Sequence, residues 1–181
     1  PEFCRVLIEA YPGSERIASS NGAWPLHYAC FQNNVAVVEY LYRLYPDAIN
    51  RATSNGKYPI HFAIGYTKYR HNPAAAVDVV KFLLDCDPNV KLQKYEGRLS
   101  LLLFACVRTY NDSNIEAFIQ VIEVIYDARP EAIEDNQITS NIHRFDQEVR
   151  TFINGELVYS HQARNHRLMM TPNEMGQLPL H

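Results

Sequence analysis

Four segments of the chain align with one another without gaps, and each of them ends in proline. They are residues 1–12, 35–46, 77–88 and 119–130, and their closing prolines are spaced 34, 42 and 42 residues apart. The third and seventh positions are apolar in all four, whereas the fifth and ninth positions carry charge. Two polar columns four residues apart predict a helix with one narrow solvated edge. A helix this apolar must be covered on both flanks, which the stacking of neighbouring repeats provides.

A second motif precedes these helices. It reads NGAWPLHYAC at 21–30 and NGKYPIHFAI at 55–64, and it begins again as MGQLPLH at 175–181. Gly22 and Gly56 mark tight turns, because glycine adopts a positive φ without steric cost. Pro25 and Pro59 suit the first position of a helix, where a backbone N–H has no intrahelical partner. The repeating unit is therefore predicted to be a turn, a short helix, a loop, a longer helix and a proline stop.

A Pro-Leu-His-x-Ala motif within a helix–turn–helix unit of about 34 residues is the signature of ankyrin repeats. The chain resembles that family, and in particular the large ankyrin families of microalgae, over nearly all of its length. The resemblance implies an all-α solenoid of stacked helical repeats, here with one long helical insertion. It also implies that the motif residues are structural: Gly22, Pro25, His27, Gly56, Pro59 and His61.

The chain departs from the family pattern in two respects. The threonine that usually precedes Pro-Leu-His is replaced by Trp24, Tyr58 and Leu178. In the family this threonine caps the helix with its hydroxyl, and these three side chains are poor substitutes for it. A third repeat, with its motif at 97–106, is degenerate, since it needs one inserted residue and has Leu103 where histidine would stand.

The motifs divide the chain into six parts. They are the second half of a repeat at 1–19, a repeat at 20–53, a repeat with an insertion at 54–95, a degenerate repeat at 96–137, a helical insertion at 138–174 and the start of a further repeat at 175–181. Because the last motif is cut short, we expect the chain to be a piece of a longer array. In the insertion, Val149, Phe152, Ile153 and Leu157 recur at helical spacing, so this helix either docks on the stack or binds a partner.

Composition argues against several classes of function. The formal net charge is −3, whereas a nucleic-acid binder usually has a strong basic excess that neutralises phosphates. No stretch of about 20 predominantly apolar residues is present to span a membrane. The cysteines form no CxxC pair and occupy apolar positions of the repeat, which favours free thiols in the cytoplasm or nucleus. They are Cys4, Cys30, Cys86 and Cys106.

The histidines are the strongest candidates for catalytic residues in this sequence. A catalytic histidine needs a nucleophile or a carboxylate held beside it. Cys30 follows His27 by three residues, but its counterpart one repeat later is Ile64, so that column serves packing. The family resemblance implies instead that His27 and His61 each tie their own turn to the backbone of the next repeat. No metal or cofactor site, no small-molecule substrate and no enzymatic activity are predicted.

The resemblance places a binding surface on the turn tips and the outer side of the first helices. Residues at those positions differ between repeats while the core columns agree, and they are Ser20, Asn21, Ala23, Phe31, Gln32, Ser54, Asn55, Lys57, Gly65 and Tyr66. We therefore expect a non-catalytic scaffold that binds another protein on its concave face. The alternative is a regulatory or substrate-recruiting arm of a multidomain enzyme, such as a kinase or a ubiquitin-ligase adaptor, whose catalytic domain lies outside these residues.

Overall fold

The helices follow the predicted order of short and long elements. The structure is a computed structural model that describes residues 2–65, 74–108 and 114–156. Eight α-helices have defined bounds: α1 Glu2–Ala10, α2 Pro25–Gln32, α3 Val35–Leu44, α4 Pro59–Ile64, α5 Ala75–Cys86, α6 Leu101–Cys106, α7 Ile115–Ala128 and α8 Asn136–Asn141. Residues 147–156 are also helical. Short 3-10 turns lie at Ser14–Arg16, Pro46–Asn50, Val90–Leu92, Pro130–Glu134 and Ile142–Arg144.

The helices form two rows. The first helices of the repeats, α2, α4 and α6, pack side by side, and the second helices, α3, α5 and α7, pack in a parallel row behind them. Each short helix also packs against the long helix that follows it. The prediction of an all-α helical repeat fold is confirmed, because the described residues contain helices and turns with a single isolated bridge between Tyr95 and Leu99.

The apolar columns of the second helices form the core between the rows. Val79 and Val121 at the third position and Leu83 at the seventh are fully buried, and Ile125 at the seventh is nearly so. The same columns on α1 behave differently, with Phe3 78% and Leu7 46% exposed. The columns are therefore buried where a helix has neighbours on both flanks and exposed at α1, which lies at the edge of the described stack.

Proline marks the end of two second helices. Asn34 begins α3 with its side-chain Oδ1 accepting a hydrogen bond from the Val37 N–H at 3.2 Å. Pro46 follows the last residues of α3 and opens the 3-10 turn Pro46–Asn50, and Pro130 does the same after α7. Since proline lacks an N–H, the helix stops and the chain turns back toward the next first helix.

The described part of the long insertion packs on the last repeat. Ile138, Phe145, Val149 and Ile153 are buried in the common core, and the Phe152 ring lies 6.1 Å from that of Tyr126 on α7. Helix α8 begins at Asn136, directly after the 3-10 turn Pro130–Glu134. The rest of the insertion, with Leu157, and the motif at 175–181 lie outside the described residues.

Candidate interaction surface

The turns that precede the first helices stack on one another. In the first turn the Ser19 N–H donates to the Ala23 carbonyl at 2.9 Å, and in the second the Thr53 N–H donates to Lys57 at the same distance. The two turns are joined where the N–H and the hydroxyl of Ser54 both donate to the Asn21 carbonyl, at 3.0 and 2.8 Å. Together with the first helices, these turns form a continuous face, which we call the turn face: residues 17–33, 51–65 and 93–108.

Gly22 and Gly56 allow the turns to approach this closely. Both have positive φ, 76° and 68°, a region that side chains rarely adopt. A Cβ atom at Gly22 would lie 3.1 Å from the Ser54 nitrogen, and one at Gly56 would lie 3.1 Å from the backbone of Glu96. Both the turn conformation and the spacing between repeats therefore require glycine at these positions.

Histidine provides part of the cap at the start of α2 and α4. Trp24 and Tyr58 occupy the N-cap positions, and their backbone N–H groups donate to Nδ1 of His27 and His61, each at 3.1 Å. In each case the backbone N–H of the histidine also donates to the backbone carbonyl of the N-cap residue. The histidine thus satisfies a backbone donor that would otherwise be orphaned at the helix start.

The same bonds determine the tautomer of each ring. Because Nδ1 accepts a hydrogen bond, the proton of the neutral imidazole must lie on Nε2. In His27 this Nε2 lies 3.2 Å from the Lys57 carbonyl, so the ring joins its own turn to the next repeat. Burial lowers the pKa of His27 to about 4, and burial assisted by the charges of Arg108 and Lys57 lowers that of His61 to about 3.

His61 does not make the bond to the next repeat that the sequence led us to expect. Its buried Nε2 has no hydrogen-bond partner among the described residues. The following turn has a different shape, with Glu96 and Gly97 both at positive φ, whereas Gly56 alone is positive in the turn before. The His61 ring instead stands edge-to-face with that of Phe104, with centroids 4.8 Å apart.

The third repeat caps its first helix in the conventional way. Ser100 occupies the N-cap of α6, and its Oγ accepts a hydrogen bond from the Leu103 N–H at 3.3 Å. Leu103 stands at the position of the missing histidine, as the sequence indicated. Within the array, a serine at the N-cap and a histidine three residues later are thus alternative ways to satisfy a helix start.

Nine of the ten predicted surface residues belong to the turn face, but two of these nine are buried. Ala23 is 1% exposed and Gly65 is buried, so neither offers a contact surface, contrary to the expectation. The Ala23 carbonyl closes its turn by accepting from the Ser19 N–H, and a Cβ atom at Gly65, which ends α4, would lie 3.5 Å from the Phe104 ring. The exposed or partly exposed candidates are Ser20, Asn21, Phe31, Gln32, Ser54, Asn55 and Lys57, and Tyr66 lies outside the described residues.

Sequence reasoning missed a row of aromatic and cationic side chains on the turn face. The Lys57 ammonium lies 5.6 Å from the centroid of the Tyr95 ring, Tyr95 lies 5.3 Å from Phe104, and the Arg108 guanidinium lies 3.9 Å from the Phe104 centroid. We call these four residues the cation–aromatic ladder. An aromatic column at Tyr28, Phe62 and Phe104 was visible in the sequence, but the degenerate third repeat concealed the alignment of Tyr95 and Arg108.

A second concavity lies between α1, α2 and α3. It is an open apolar groove of about 550 Å³, lined among others by Phe3, Leu7, Tyr28 and Val37. The described residues contain no group of three or more His, Cys, Asp or Glu side chains placed to share a metal ion. Nor does any helix among them combine the length and apolar character that crossing a bilayer requires.

Comparison with known proteins agrees with the stacked helical repeats. The family model described as ankyrin repeats, in three copies, matches residues 1–93, which is half of the chain. No curated protein matches the sequence. Ankyrin repeats generally mediate protein–protein interaction, and domains built from them are typically non-catalytic. With two turns held by Gly-x-x-Pro-x-His, two rows of helices and this family match, the chain belongs to the ankyrin-repeat family.

Proposed function

We propose that this chain is a non-catalytic module that binds a protein partner on its turn face. The observation that carries the proposal is the continuous stack of turns, which exposes different polar side chains on a shared backbone frame. Ser20, Asn21, Gln32, Ser54 and Asn55 are exposed on this frame, while the motif residues beneath them are occupied with the fold. Loops held by a rigid scaffold are the usual place for recognition.

The exposed candidates differ in how free they are to contact a partner. The Asn21 side chain accepts hydrogen bonds from the Ser19 hydroxyl at 2.6 Å and the Ala23 N–H at 3.1 Å. The backbone carbonyl of Asn21 accepts from Ser54. Asn21 and Ser54 therefore serve the turn stack first. Gln32, at the end of α2, and Asn55, at the second turn tip, are the better candidates for side-chain recognition.

Photo-crosslinking tests this proposal. A photoreactive residue such as benzoylphenylalanine replaces Gln32 or Asn55 on the turn face, and Lys81, which is exposed on the second helix α5, serves as the control position. In extracts of the source cells, we expect a discrete protein adduct from Gln32 and Asn55 and none from Lys81. Adducts formed from Lys81 alone, or none at any position, contradict the proposal.

The state of the cysteines supports a reducing compartment as the place where the chain works. None of the four cysteines forms a disulfide, Cys30 and Cys106 are buried, and burial raises the pKa of Cys106 to about 12. Cysteines that form no disulfide support a reducing compartment such as cytoplasm or nucleus. We propose no nucleic-acid or small-molecule ligand. The likeness to microalgal ankyrin arrays stays a prediction.

A further inference from the structure

Charge is distributed unequally between the two rows of the stack. The turn face contains five basic residues and one acidic residue, which are Arg51, Lys57, Lys94, Arg98, Arg108 and Glu96. The second-helix segments 34–50, 74–92 and 114–135 contain eleven acidic and four basic residues. A chain with a net charge of −3 therefore has a face of the opposite sign, and that face is the one built from turns and first helices.

The basic residues concentrate at the second and third turns. Arg51, Lys94 and Arg98 are exposed, and Lys57 and Arg108 are partly exposed at the two ends of the cation–aromatic ladder. Glu96, in the turn that follows Tyr95, is the single carboxylate among the described residues of the face. The first turn, by contrast, has no charged residue between 17 and 33. The positive field is thus local to repeats two and three.

From this arrangement we infer that the turns of repeats two and three bind an acidic segment of a protein partner. A positive patch attracts a negative one during encounter and excludes basic competitors. Holding Lys57 and Arg108 over aromatic rings limits the side-chain entropy that two long cations lose when they bind carboxylates. The inference rests on the proposed function and specifies the chemistry of the partner at the same face.

The distribution of charge favours an acidic peptide over a nucleic acid. A nucleic acid presents a phosphate at every nucleotide, so affinity grows with the number of phosphates that a basic surface neutralises. Here the patch has five basic residues, on two neighbouring turns and the end of α6, and the acidic second-helix row of the same molecule repels a long polyanion. A short run of Asp and Glu residues matches the extent of the patch and can end before it reaches that row.

Fluorescence anisotropy with the 181-residue chain tests the inference. The probes are a fluorescein-labelled oligoglutamate peptide, an oligolysine peptide of equal length and a single-stranded oligothymidylate. The face variant combines Lys57→Gln, Lys94→Gln and Arg98→Gln. The matched control combines Arg43→Gln, Lys81→Gln and Lys91→Gln, which removes the same charge from the second-helix row. If circular dichroism shows the triple face variant to be unfolded, the exposed pair Lys94→Gln and Arg98→Gln replaces it.

We expect oligoglutamate to bind, the face variant to weaken it about tenfold, and the control to change it less than about twofold, because charge acts within a Debye length. Added salt should weaken binding in the same way. Equal losses in face variant and control, or tighter binding of oligothymidylate lost in the face variant, overturn the inference. If the face variant still forms the protein adduct from Gln32 or Asn55, the inference is overturned while the proposed function stands. If no position gives an adduct, the proposed function fails.

Discussion

His27 and His61 occupy the same position in successive repeats but are not equally satisfied. Both accept a backbone hydrogen bond at Nδ1, whereas only His27 reaches a carbonyl of the next repeat with Nε2 among the described residues. A buried N–H without an acceptor costs free energy, and the edge-to-face contact with Phe104 offsets part of it. The motif histidine is therefore first a helix cap and only second a link between repeats.

We predict that His27→Ala lowers the free energy of unfolding by about 1–3 kcal/mol, because the Trp24 N–H loses its acceptor and the Lys57 carbonyl loses one donor and keeps that from Thr53. Urea denaturation measured by circular dichroism checks the size of the loss. His143, which is exposed in the last 3-10 turn, provides the control. His143→Ala should leave the unfolding midpoint unchanged, and a stable His27→Ala variant would remove the structural role assigned to this ring.

Acid should destabilise the fold before most carboxylates titrate. In the folded chain the pKa of His27 is about 4 and that of His61 about 3, against an ordinary value of 6.5. The unfolded chain therefore binds more protons as the pH falls below 6.5, and stability declines from there toward pH 4. We expect urea midpoints to fall over this window, and the double variant His27→Gln and His61→Gln to flatten the decline. An equally steep decline in that variant would contradict this.

At the scale of helices, the sequence predicted the helices that recur from repeat to repeat. It missed the features that occur at one place only. The segments 35–46 and 77–88 largely coincide with α3 and α5. Apolar residues four positions apart lie on the same face of an α-helix, so their spacing predicts this element. The burial of Ala23 was missed, because the exposure of its side chain depends on how the turn folds over the core. The cation–aromatic ladder was missed because it joins two repeats, and contacts between repeats leave no signal in the spacing within one.

The helical segment 147–156 offers a direct measure of how firmly the insertion is attached. Ile153 is fully buried in this segment, while its neighbour Asn154 is exposed. We predict that Ile153→Ala lowers the free energy of unfolding by about 2–5 kcal/mol through loss of burial and formation of a cavity. Asn154→Ala is the control, with an expected effect near zero. Thermal melts of both variants decide the matter: equal melting temperatures mean that this segment contributes nothing to the stack.

On the scale of the whole molecule, α1 leaves an apolar face uncovered. Phe3, Val6, Leu7 and Tyr11 are 78%, 53%, 46% and 71% exposed, and the groove of about 550 Å³ opens beside them. Contiguous apolar surface of this kind promotes association between copies of a chain.

We therefore predict that the 181-residue chain self-associates in a concentration-dependent manner. The double variant Phe3→Gln and Leu7→Gln should shift it toward monomer in size-exclusion chromatography. Leu92, which is 51% exposed elsewhere on the surface, supplies a matched control, and Leu92→Gln should not alter the elution volume. A monomeric parent chain, or a shift produced equally by Leu92→Gln, would show that α1 is not the contact.

The two junctions between the three repeats differ in the contacts that join them. The first is crossed by directional bonds, from His27 to Lys57, from Gln93 to Ile49 at 3.1 Å and from Tyr42 to Cys86 at 3.4 Å. The second includes the ring contact of His61 with Phe104 and the packing of α5 on α7. Directional bonds define the rotation of one repeat against the next, whereas apolar packing tolerates small rotations. We expect amide hydrogens to exchange faster across the second junction, so that the basic end of the face adjusts its curvature to a ligand while the uncharged end keeps its shape.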